Sequence, residues 1–83
     1  MGEQEVGVIT HYFTRIGVAI VELSAPLKVG DEILIKGATS DWTQRVESMH
    51  IEHDKVTEAK KGTAIGLHMN QHAREGDTVF KES

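Results

Sequence analysis

Leu27-Lys28-Val29-Gly30-Asp31-Glu32-Ile33-Leu34-Ile35-Lys36 is the stretch on which the fold turns. Gly30-Asp31 reads as a tight turn, and the residues after it alternate: Ile33 and Ile35 share one face, Glu32, Leu34 and Lys36 the other. A period of two marks a strand lying on a core, so Ile33 and Ile35 are expected to point inward. Just upstream, Ser24-Ala25-Pro26 interrupts the pairing, because Pro26 has no backbone donor to give to a ladder.

Working outward, glycines at positions 7, 17, 30, 37, 62, 66 and 76 delimit short stretches rich in Val, Ile, Thr and Leu, which is strand spacing. No window long enough for an amphipathic helix repeats apolar positions three and four apart without a glycine or a β-branched cluster intervening. The expectation is all-β. Glu5 to Phe13 and Val18 to Leu23 form a hairpin about Thr14-Arg15-Ile16-Gly17, and Glu32 to Lys36 follows as a third strand. A long fourth strand is expected from Trp42 to about His53. Trp42 and Val46 fall on one parity and Met49 and Ile51 on the other, which predicts a β-bulge near Ser48. Val56 to Lys61 reads as a connection able to hold one helical turn. Thr63 to Met69 is a strand with Ile65, Leu67 and Met69 facing in, and Thr78 to Lys81 closes the sheet. Gly30, Gly62 and Gly76 stand before strands where a positive φ is expected.

At 83 residues there is room for one core, so residues 1–83 are expected to be a single domain, with residues 1–4 as candidates for disorder. The chain is 39% hydrophobic and 27% charged, the balance of an ordinary globular protein. It contains no apolar run of membrane-spanning length, no leader-like start and no myristoylation pattern, since Val6 stands where Ser or Thr is needed; a cytoplasmic location is expected. Without cysteine there is no disulfide, thiolate metal site or thiol nucleophile. A net charge of −4 argues against sequence-independent coating of nucleic acid.

The segments Leu27 to Ile33, Val46-Glu47-Ser48-Met49, Ala59-Lys60-Lys61-Gly62-Thr63-Ala64-Ile65-Gly66 and Arg74-Glu75-Gly76-Asp77-Thr78-Val79, in this order and spacing, resemble the barrel that follows the GTPase domain in translation elongation and initiation factors. The chain also looks like small standalone elongation-factor-like proteins, and like the C-terminal barrels appended to some collagenase-like peptidases that act in RNA modification. The resemblance implies a small closed antiparallel β-barrel of six to seven strands, an association with protein biosynthesis, and a binding module. Neither a phosphate-binding Gly-x-x-x-x-Gly-Lys-Ser/Thr loop nor an Asn-Lys-x-Asp stretch is present, so no nucleotide and no cofactor is expected.

The five histidines invite a metal hypothesis. On one continuous strand, however, His50 and His53 would face opposite ways unless a bulge intervenes, and the spacing of His68 and His72 suits a helix, whereas His72 sits in the polar loop Asn70-Gln71-His72-Ala73. They read as exposed or structurally paired, and no metal site is expected. His50, His53 and Asp54 near Ser48 could be forced into a triad, but no nucleophile elbow or oxyanion loop accompanies them, and catalysis is not expected. The carboxylate neighbours Asp31-Glu32 and Glu52-Asp54 read as turn and surface residues.

Candidate contacts to RNA or to a partner are Trp42, Arg45, Lys55, Lys60 and Lys61. The lysines flank one connection and with Arg45 could make a basic patch, the competing reading being a solvated loop. Trp42 could offer a stacking face, the competing reading being a core or rim anchor. Two functions follow. The first is a non-catalytic module that docks on translation machinery or structured RNA, tRNA or rRNA, with micromolar-to-millimolar affinity for the isolated domain. The second is a protein-interaction module that docks on a separately encoded enzyme such as a collagenase-like peptidase relative.

Overall fold

The computed structural model describes residues 3–82, and every regular element among them is a strand. In chain order these are β1 (Glu3–Phe13), β2 (Val18–Leu23), β3 (Leu27–Lys28), β4 (Glu32–Lys36), β5 (Asp41–Arg45), β6 (Met49–Ile51), β7 (Asp54–Val56), β8 (Glu58–Ala59), β9 (Ala64–His68) and β10 (Thr78–Glu82). Eight of them form one antiparallel sheet in the order β5-β4-β10-β1-β2-β9-β6-β7, and β3 pairs with β8 in a separate two-stranded sheet. No helix among the described residues is long and apolar enough to cross a membrane.

The alternation read from the sequence fixes the inner face. Ile33, Ile35, Ile65 and Leu67 are all buried in one cluster with Val6, Ile9, Val21, Met49 and Val79. Each such side chain contributes roughly 1.5–3 kcal/mol by leaving water, so this cluster is the main source of stability in a chain without disulfides. Gly30, Gly62 and Gly76 have φ of 100°, 88° and 92°, the left-handed conformation expected of them. Leu34 departs from the pattern. It lies on the outer face, yet it is only 7% exposed, because the register sets it opposite Phe80 on β10 and Thr43 on β5.

The closed barrel of six to seven strands is not what forms. The large sheet has eight strands and two free edges, β5 and β7, and no ladder joins them among the described residues. The expected single strand from Trp42 to His53 is broken: the chain leaves the sheet over residues 46–48, β6 runs only to Ile51, and a hairpin returns as β7. The parity switch between Val46 and Met49 is therefore real, but its cause is an interruption and not a bulge. The bulges are elsewhere, in β1, where the register shifts between Glu5 and Gly7 and between Ile9 and His11. No helical turn occupies residues 56–61: Val56 ends β7, Glu58–Ala59 form β8 held by β3, residue 57 lies in a bend, and residues 60 and 61 belong to the turn that Thr63 N closes on Lys60 O.

At β5 side chains and single backbone bonds replace the missing ladder. Gln44 Nε2 donates to the His68 carbonyl at 2.7 Å, and Gln44 Oε1 accepts from Asn70 N and from Trp42 Nε1, both at 2.8 Å. Val46 N donates to Asp31 O and Gly30 N to Val46 O, which ties the broken segment to the turn before β4. At the N-terminus, Glu3 and Gln4 are strand residues paired with Glu82 and Lys81; residues 1 and 2, the rest of the stretch considered for disorder, lie outside the described residues.

Candidate functional site

The candidate contact residues lie on several different elements. Trp42 is 8% exposed, belongs to the core cluster and spends its indole N–H on Gln44, so it is an anchor with little ring surface for stacking. Arg45 ends β5 opposite Glu32, at one edge of the large sheet, while Lys55 lies on β7 at the other. Lys60 and Lys61 are exposed in the turn after β8. The four cations thus lie on the end of β5, on β7 and in the turn after β8.

The structure instead assembles a groove on the outer face of β2, β9 and β6. The ladders set His11 opposite Ile20, Ile20 opposite Gly66, Gly66 opposite His50, and His50 opposite Lys55, a single row across β1, β2, β9, β6 and β7. The neighbouring row is Phe13, Val18 and His68. Because Gly66 has no side chain, the sheet dips between Ile20 and His50. The resulting groove has a volume of about 640 Å³, with Phe13, Ile16, Val18 and Ile20 on the hairpin side and His50, Glu52, His53 and His68 on the other. Phe13 and Ile16 remain 42% and 63% exposed.

One lip of the groove is conformationally unusual. Glu52 and His53 have φ of 49° and 74°, and they form the two-residue loop between the paired residues Ile51 and Asp54. Tight hairpin loops of this kind need positive φ at both central positions and favour Asn-Gly, whereas non-glycine residues there cost of order 1–3 kcal/mol each. The expected separation of His50 and His53 onto opposite faces therefore does not apply. The strand has ended before His53, and both imidazoles line the same groove.

The other histidines are engaged locally. His11 Nδ1 lies 3.0 Å from Glu75 Oε2, and the His11 ring packs edge-on against Phe13 at 4.4 Å between centroids. His72 tilts against Tyr12 at 4.9 Å. Among the described residues no group of three or more His, Asp or Glu is gathered to hold a metal ion. What the arrangement offers chemically is apolar contact beside imidazole donors and acceptors, a binding surface.

No family model matches the chain. It is 42% identical over 77 residues to an uncharacterized protease of Methanocaldococcus jannaschii, a match covering 92% of this chain and 19% of the protease. It is 38% identical over 72 residues to collagenases of Porphyromonas gingivalis, covering 84% of this chain and 20% or 17% of theirs. The chain thus spans about a fifth of the length of these curated relatives. In fold it matches the C-terminal domain of a candidate U32 peptidase of Geobacillus thermoleovorans with a TM-score of 0.90 at 19% identity, over 96% of this chain and 93% of that one. The selenomethionine variant of that domain matches with a TM-score of 0.87 at 18% identity, over 92% and 96%.

These relatives overturn the resemblance to translation elongation factors, and with it the expectations of an RNA-binding protein engaged in protein biosynthesis and of a translation-factor barrel. Gly30, Gly62 and Gly76 in the motifs behind that resemblance are positive-φ turn residues before β4, β9 and β10 and serve the fold. The other resemblance, to domains appended to collagenase-like peptidases, is the one the relatives match.

Proposed function

We propose that this chain is a non-catalytic accessory domain of the collagenase-like, U32 peptidase type, which acts by binding a peptidase body. The carrying observation is the 42% identity to a protease of which the matched segment is only 19%. A segment of that size is an appendage to something larger, and the fold it shares is that of a domain lying at the C-terminal end of a candidate U32 peptidase. The exposed apolar groove supports binding as its mode of action, since side chains such as Ile16 at 63% exposure contribute nothing to the core.

The test is purification of the tagged chain from its native host under mild conditions, with nuclease treatment as a parallel arm. A collagenase-like peptidase, co-purifying in stoichiometric amount or continuous with the same polypeptide and unaffected by nuclease, is the expected result. Absence of any such peptidase would end the reading.

A further inference from the structure

We infer that the groove between the β1–β2 hairpin and the β6–β7 turn is the face that docks the peptidase body, and that the body presents to it an apolar side chain flanked by carboxylates. This rests on the reading above and adds the place and the chemistry of the contact.

Exposure singles out the place. Large exposed hydrophobic residues among those described are Val8, Phe13, Ile16 and Val29; the two most exposed, Phe13 and Ile16, both line this groove. They stand on the rim of the dip left by Gly66, where Val18 and Ile20 are half-buried, so an entering apolar group meets apolar surface on several sides. A standard contact takes about 800 Å² from each partner. Set against a total surface of 5182 Å², that is an area one face of this small domain can supply.

Charge selects the occupant. The protein as a whole carries −4, counted with neutral histidines, yet the groove lining holds one carboxylate, Glu52, beside three imidazoles, His50, His53 and His68, whose ring N–H groups can donate to a carboxylate. Arg15 stands on the adjoining hairpin tip with Phe13 and Ile16, and Lys55 is paired across from His50. These two fixed cations, with the imidazole donors beside them, complement carboxylates. The partner is placed in the remaining four fifths of the relatives' length, which this chain does not match. The Glu52-His53 turn adds a preorganised edge, since its two left-handed residues fix the direction in which both side chains leave the backbone.

The experiment is site-specific photo-cross-linking of the full chain in its native host, with p-benzoylphenylalanine replacing Ile16 in one variant and Lys28, exposed on the two-stranded sheet, in another. A cross-link from position 16 and none from position 28 to a collagenase-like peptidase body, in the same or a separate polypeptide, is expected. Peptidase cross-links from position 28, alone or with position 16, overturn the face while leaving the functional reading intact. A cross-link from position 16 to a second copy or to an unrelated protein overturns the occupant, and the absence of a peptidase cross-link from position 16 overturns the face, while the functional reading stands or falls on the co-purification. In parallel, where the peptidase is a separate polypeptide, Ile16→Asp should lower its co-purification at least tenfold with an unchanged melting temperature, and Lys28→Asp should not; where it is the same polypeptide, the cross-link from position 16 decides. Equal recovery of a separate peptidase with the two variants counts against the groove.

Discussion

Gln44 Nε2 reaches the His68 carbonyl at 2.7 Å across a gap that no backbone ladder spans. The same amide accepts from Asn70 N and Trp42 Nε1, so a single buried side chain satisfies three groups that would otherwise lack partners. Gln44→Leu should therefore cost about 3 kcal/mol, because an apolar replacement of similar size leaves all three groups unpaired in a place with limited access to water. Urea denaturation followed by the emission of Trp42, the only tryptophan in the chain, measures it. A loss below about 1 kcal/mol would show that the gap is not held by this residue.

Trp42→Phe makes a graded comparison. It removes one donor and some ring area but leaves Gln44 bonded to His68 and Asn70, so the cost should be about 1–2 kcal/mol and smaller than that of Gln44→Leu. Calorimetric unfolding of both variants side by side decides the order. The reverse ranking would make ring packing, and not the amide, the main tie at this edge.

A second closure joins the loop after β4 to the turn before β10. Asp77 is buried, accepts from Ser40 Oγ and from Arg74 N at 3.0 Å, and stands so close to Gly37 that a Cβ there would fall on its carboxylate. Gly37→Ala alone should cost about 1–3 kcal/mol from overpacking. In an Asp77→Ala background the space is vacated and the same change should be close to neutral, a coupling well above the usual few tenths of additivity error. Equal costs in the two backgrounds would show that the approach of Gly37 to Asp77 sets no constraint.

Much of the fold was legible because alternation carries it. The positions of Ile33, Ile35, Ile65, Leu67 and Met69 relative to the core follow from a period of two, and the left-handed glycines follow from their place before strands. Closure was not legible, since a ladder is made by backbone groups common to every residue and leaves no mark on side-chain type. A bulge and a full break give the same parity switch, so Val46 and Met49 could not separate them. The groove was hidden for a different reason: its lining comes from residues 13–20 and 48–68, and its depth depends on what Gly66 lacks. The turn at Glu52-His53 carries no Asn-Gly signature to announce it.

That turn supplies the last prediction, which sets stability against binding. Replacing Glu52-His53 by Asn-Gly keeps the hairpin between Ile51 and Asp54 but relieves two left-handed side-chain residues, and should stabilise the protein by about 1–2 kcal/mol. For a domain of this size that corresponds to a rise in Tm on the order of 5–15 °C. If the strained pair is retained for its position on the groove, the same variant should recover less peptidase from the native host than the parent does, although it is the more stable protein. Differential scanning calorimetry and the affinity purification, made on one preparation, read both quantities. A variant that melts higher and captures peptidase undiminished would leave the two left-handed residues without a part in docking, and one that melts lower would show that the turn is not strained.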